Sequence, residues 1–139
     1  MADISKFARQ FIQAIPHAQA LGLELTYINN GEAEITMPYN EALVGDPRTG
    51  VIHGGAVSTM LDTCCGAAVM SNPVKPTSTA TIDLRIDYMR AAKPGQTITT
   101  RAKCYHITRN VAFVRATATD EDQDNPVATA SGAFTVEVK

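Results

Sequence analysis

The sequence predicts an α+β fold in which one long central helix is wrapped by a curved antiparallel sheet. Three observations carry this. The stretch "GVIHGGAVSTMLDTCCGAA", residues 50–68, opens the longest helical pattern in the chain. Six other segments alternate apolar and polar residues with the period of a strand. Their order is helix, two strands, long helix, four strands, with short connections that suit antiparallel neighbours. At 139 residues the chain is long enough for one domain, spanning 1–139, with a single core.

The elements follow in order. Ile4, Phe7, Ala8, Phe11, Ile12 and Ile15 recur at helical spacing and Pro16 ends the run, so residues 1–16 carry a short amphipathic helix over 4–15. "LELTYIN" and "EAEITMPY" flank "NNG", a strong hairpin signal, which gives strands at 21–28 and 32–39. "NEALVGDPRTGVI", residues 40–52, holds Gly, Pro and Asp and reads as a loop. The long helix covers 54–71, with Val57, Met60, Leu61, Cys64, Cys65 and Ala68 apolar, and "SNPVKP" stops it. Gly66, Ala67 and Ala68 remove bulk at one end, which lets a sheet curl closely around it. Four strands, 77–90, 96–107, 111–119 and 127–138, complete the chain, separated by "AKPG", Arg109-Asn110 and "EDQDNP".

Composition excludes several classes. Apolar residues make up 45% and charged residues 19%, which fits neither a disordered nor a membrane chain. No apolar run approaches the roughly 18 residues that a membrane span needs. The first residues lack the basic region, apolar core and cleavage site of a signal peptide. Three cysteines, two of them adjacent, make no disulfide framework, so a reducing cytoplasm is expected. A net charge of −2 argues against general nucleic-acid binding. The basic residues are nevertheless concentrated: seven lie between Arg85 and Arg115 with one acid, Asp87, among them. They read either as solvated strand faces or as a surface that meets a phosphorylated ligand.

The chemistry centres on His53-Gly54-Gly55 and Asp62. A carboxylate in a segment built for burial is costly unless it is paired or used. The glycines stand at a helix start, where N–H groups are unpaired and the dipole end is positive. Without a Cβ they admit a ligand to the backbone, and such N–H groups can hold a carbonyl oxygen that becomes an oxyanion in acyl transfer. HGG alone is equally read as a tight loop-to-helix turn. Gly55 and Asp62 lie seven residues apart, roughly 10 Å along a helix axis. A reacting carbonyl needs both groups within about 3 Å. One helix cannot supply both, whereas two antiparallel helices across a two-fold axis can, giving a dimer with two equivalent sites. His53, nine residues before Asp62, falls half a turn off it and forms no dyad with it.

These residues carry a resemblance. "HGGAVSTMLDTCCGAA", the preceding "GDPRTGVIHGG" and the following "TATIDLRIDYMRAAKPG" resemble PaaI-type hot-dog-fold acyl-CoA thioesterases, over about residues 20–138. The resemblance implies that the N–H of Gly54, with Gly55 beside it after the motif residue His53, polarises the thioester carbonyl. It implies that Asp62, from the partner subunit, is base or nucleophile, and that Thr81 positions the attacking water. Many members carry Asn six residues before the histidine; here Asp46 stands seven before it, and an acid accepts where an amide also donates. Arg90 and Lys93, at the end of "YMRAAKPG", occupy a place where related proteins dock coenzyme A phosphates. The expected assembly is a homodimer with sites at its interface, or a dimer of such dimers, acting on acyl-CoA with no separate cofactor.

The remaining candidates read as structure. Cys64 and Cys65 have no basic partner at helical spacing and fit the core, as does Cys104. His17, His53 and His106 lack metal-ligand spacing, so no metal site is expected, and no phosphate-binding glycine loop is present. Two other activities of the same fold compete. A hydratase or dehydratase pairs histidine and acid in a pattern this chain lacks. A non-catalytic acyl-CoA-binding sensor carries an added DNA-binding region, for which the residues before Pro16 are too few. The acyl group is left open by the sequence.

Overall fold

The computed structural model describes residue 10 and residues 12–139. The helix expected over 4–15 lies mainly outside the described residues; residues 10, 12 and 13 are helical, and Ile12 is buried. A short helix α1 (Pro16–Ala20) follows, opened by Pro16, whose fixed φ suits a first helical position. Strands β1 (Glu24–Asn29) and β2 (Glu32–Met37) pair antiparallel. Their two-residue turn, Asn30-Gly31, has φ of 47° and 83°, the positive pair that matches the right-handed strand twist.

Residues 40–52 hold more structure than a loop. Asn40 caps a 3-10 turn (Glu41–Leu43), and β3 (Val44–Asp46) pairs with β4 (Val51–Ile52). Strands this short cannot show alternation. Helix α2 (Gly54–Met70) comes next. Then come β5 (Thr81–Tyr88), β6 (Ile98–Ile107), β7 (Val111–Thr119) and β8 (Ala128–Thr135). The large sheet runs β1-β2-β6-β7-β8-β5, antiparallel throughout. One long helix on this sheet is the hot-dog fold. No helix among the described residues is long and apolar enough to cross a membrane.

Helix α2 lies chiefly on β2, β6 and β7. It buries Val57, Met60, Leu61, Cys64, Cys65 and Ala68 into one contiguous core with Ile35, Met37, Ile98, Val114 and Phe134. The sheet leaves one flank of the helix open. Gly54, Gly55 and Asp62 are exposed, and Ser58, Thr59, Thr63 and Gly66 are half-buried along the same open flank. Asp62 is therefore not a buried charge within this chain. Nor does Gly66 serve the sheet's approach, since a Cβ built there would meet nothing within 4 Å. The two edges of the large sheet are β1 and β5, and β5 carries two exposed apolar side chains, Ile82 and Tyr88, with Met89 just beyond.

Candidate active site

Asp62 is held by its own chain. The Thr81 hydroxyl donates to Asp62 Oδ1 at 2.6 Å, joining the middle of α2 to the start of β5. A bulge makes this contact possible. Phe134 of β8 faces Thr81 and Ala133 faces Asp83, so Ile82 is an extra residue on β5. Unbroken alternation would put Thr81 on the face of Asp83 and Arg85; the bulge turns it toward the helix, a common use of bulges beside active sites. Ile82 is left 56% exposed. Asp62 and Thr81 form part of the rim of a cleft of about 700 Å³ beside α2.

The helix start divides the two glycines. His53 is the N-cap, and its Nδ1 accepts the Gly55 N–H at 2.8 Å. That bond needs Nδ1 unprotonated, so the neutral ring carries its proton on Nε2. A Cβ at Gly55 would sit 2.8 Å from the same nitrogen, which explains the glycine by close approach. Gly55 is thus occupied in capping, and His53 acts as the cap. The Gly54 N–H has no acceptor among the described residues, while the Tyr88 hydroxyl donates to the Gly54 carbonyl at 3.0 Å and braces the first turn. Gly54 and Asp62 lie on one continuous helix, eight residues or about 12 Å apart along the axis. This chain does not bring them together.

Asp46 points elsewhere. Its carboxylate accepts from the Arg48 backbone N–H at 3.0 Å and from Arg48 Nε at 3.2 Å, and its carbonyl accepts from Thr49 and Gly50. The Arg48 side-chain bond lowers its pKa from the ordinary carboxylate value. Asp46 shapes the β3–β4 turn, and it makes no contact with Gly54, Asp62 or Thr81 among the bonds the structure shows.

The basic stretch is largely spent inside the chain. Arg85 pairs with Asp87, Arg101 pairs with Glu34, and Arg115 lies over the Tyr105 ring at 4.1 Å. Arg90 is engaged within the chain. Its guanidinium makes two 2.7 Å bonds to the carboxylate of buried Asp120 and a third to the Asn125 carbonyl. Lys93 contributes only its backbone N–H to Asp120; its ammonium, like the side chains of Lys103 and Arg109, has no partner among the described residues. Arg90 also holds Asp120 well below the usual carboxylate range. A depressed folded-state pKa gives stability that is present above the unfolded value near 4 and lost as pH falls through the folded one. Arg90→Ala strands a buried carboxylate, and the loss expected is about 3 kcal/mol. A thermal melt at pH 7 should drop by roughly 10 °C. The difference from the parent should shrink below pH 4; a shift under 2 °C at pH 7 would show the pair to be dispensable.

The cysteines lie where packing puts them. Cys64 and Cys65 are buried, and burial pushes the Cys64 thiol up to about 12 and Cys65 up as well, so neither is a thiolate at neutral pH. Cys104 is half-buried. Among the described residues no three His, Cys, Asp or Glu side chains converge as metal ligands. Sequence reasoning missed Tyr88 as the brace of Gly54, although it stands in the quoted "TATIDLRIDYMRAAKPG". It also missed His17, whose Nε2 lies 3.3 Å from Thr59 Oγ1, one turn before Asp62. No motif marks a contact between α1 and α2.

The chain is similar to known proteins in sequence and fold. A family model described as the thioesterase superfamily matches residues 49–127. A putative esterase of Halobacterium salinarum is 40% identical over 76 residues, which cover 52% of this chain and only 50% of that protein. The medium/long-chain acyl-CoA thioesterase YigI of Salmonella typhimurium is 27% identical over 126 residues, 81% of each chain. A solved structure from Pseudomonas aeruginosa is 38% identical, covers 94% of this chain and 97% of its own, and superposes with a TM-score of 0.84. The PaaI protein of the E. coli phenylacetic acid degradation operon shares the fold at 23% identity, with a TM-score of 0.80 over 96% of this chain and 95% of its own.

Proposed function

This chain belongs to the thioesterase superfamily, and from that premise we propose that it hydrolyses an acyl-CoA thioester to the free acid and coenzyme A. The observation that carries the reading is the Thr81–Asp62 hydrogen bond on an exposed carboxylate. It fixes the carboxylate through Oδ1 and leaves Oδ2 for a water. The thioester carbonyl oxygen accepts the free Gly54 N–H at the positive end of α2. Asp62 of the partner subunit takes a proton from the water as its oxygen attacks the carbonyl carbon. The oxyanion collapses, the C–S bond breaks, and the thiolate leaves with the proton that Asp62 holds. Direct attack by Asp62, forming an anhydride that water then opens, uses the same geometry.

Distance supports a two-chain site. About 12 Å along one helix separates donor and base, and an antiparallel second α2 closes that gap. The unpaired edge of β5 and the exposed Ile82, Tyr88 and Met89 support a homodimer joined there. Neither competing activity has such support. A hydratase pairs a histidine with the acid, and within this chain His53 Nδ1 is engaged by Gly55 and His17 Nε2 by Thr59, neither by Asp62. Release of free thiol from a panel of acyl-CoAs tests the proposal: turnover is expected, and none at any chain length would contradict it.

Of Arg90 and Lys93, Lys93 is the one whose charge is unpaired among the described residues and can meet a coenzyme A phosphate. It follows Ala92, which lines a cleft of about 280 Å³ with Gly54, Tyr88 and Arg90. An exposed contact of this kind acts equally on ground and transition states and is screened by salt. Lys93→Ala should raise KM for acyl-CoA about threefold at low salt with kcat unchanged, and leave a nucleotide-free thioester unaffected. Equal losses with both substrates would remove Lys93 from this role.

A further inference from the structure

Gly66 stands in the interior of α2, where glycine is among the least favourable residues. Nothing in the chain requires it. Its φ is not in the left-handed region, and a Cβ would meet open space. Gly66 lies one turn beyond Asp62 on the same helical face and lines the same cleft, about 700 Å³, within the size range of small-molecule sites. Phe134, 1% exposed, and Ile15 line that cleft together with Thr63, Thr77, Ser78 and Thr79, and Met70 lies a further turn along α2. Asp62, Gly66 and Met70 thus mark one ridge, with the Thr81-bound carboxylate at one end and a flexible apolar side chain at the other.

We propose that the groove running from Asp62 past Gly66 to Met70 receives the acyl chain of the substrate, that the chain is of medium length, and that Gly66 and Met70 set its limit. This rests on the thioesterase reading above. With the carbonyl at Asp62, the chain has about 12 Å of helix to run along before Met70, at 1.5 Å per residue, room for an extended chain of roughly eight to ten carbons. The absent side chain of Gly66 is the space through which it passes. A methyl or isobutyl group there would meet the chain and leave the carbonyl's own contacts, at Asp62 and Gly54, in place.

The test uses the full-length enzyme and the even-numbered straight-chain acyl-CoAs from acetyl to dodecanoyl. Wild type should favour chains near octanoyl. Gly66→Ala should raise Tm by a few degrees, because alanine is the better helix former, while lowering the octanoyl-to-acetyl ratio of kcat/KM about tenfold, the scale of steric discrimination in an apolar pocket. Gly66→Leu should lower that ratio further, and Met70→Ala should move the optimum to longer chains. Sizing of each variant is measured alongside. An unchanged chain-length profile in the folded Gly66→Ala and Met70→Ala variants would overturn the proposal. So would loss of assembly with equal loss on all substrates, which would mean that Gly66 serves contact with a second copy. Turnover by wild type with no length preference overturns the groove alone, whereas no turnover on any acyl-CoA overturns the thioesterase reading and the groove with it.

Discussion

Asp62→Asn is expected to keep the fold and to lower kcat for acyl-CoA hydrolysis by about 10²–10⁴-fold, the usual contribution of a positioned base. The side chain is exposed, so its charge supports no core packing. The amide oxygen can still accept from Thr81, which preserves the link between α2 and β5. What disappears is the capacity to take a proton or to attack. KM should change little, because the lost interaction develops in the transition state. The measurement is kcat by thiol release beside a thermal melt. Turnover within threefold of wild type in a variant with unchanged Tm would remove Asp62 from the chemistry.

Gly54→Pro is expected to reduce kcat by about 10²–10³-fold, the cost of losing one oxyanion donor. The substitution is chosen because it deletes the N–H and little else. Gly54 is the first residue of α2, the one helical position where proline is favoured. His53 before it has ψ 135°, within the extended range of ψ that a following proline favours. A Cβ at Gly54 would come no closer than 3.4 Å to the Tyr88 ring. The fold should therefore survive, and the kinetic loss should fall on kcat. Gly55 offers no such test, since a side chain there collides with the capping nitrogen of His53. If Gly54→Pro remained folded and fully active, the carbonyl would have to be polarised elsewhere.

The parts of the fold legible in the sequence are those with long or chemically specific signals. "NNG" demanded a turn with two positive φ values, and α2 has an apolar face 17 residues long. The β3–β4 hairpin was not legible, because strands of two and three residues fall below any periodicity. At the site, family resemblance nominated Asp62, Thr81 and Gly54, but alternation alone aimed Thr81 at the wrong face. The bulge at Ile82 leaves no mark in a segment that alternates without a break. The intrachain pairing of Arg90 was hidden for a related reason. Its partner Asp120 stands in the acidic "DEDQD", thirty residues on, and only the fold shows that the two meet. The division between a capped Gly55 and a free Gly54 depends on the His53 rotamer, which no sequence pattern records.

The central claim is that donor and base come from different subunits, and mixing two inactive variants tests it. Asp62→Asn and Gly54→Pro are combined in equal amounts and allowed to exchange subunits, with heterodimer formation followed by mass. Each heterodimer would hold one site with both lesions and one with neither. Random exchange should then restore about a quarter of wild-type activity, since half the dimers each regain one of two sites. Activity that stays at the level of the separate variants, with exchange confirmed, would mean that each site is built within a single chain.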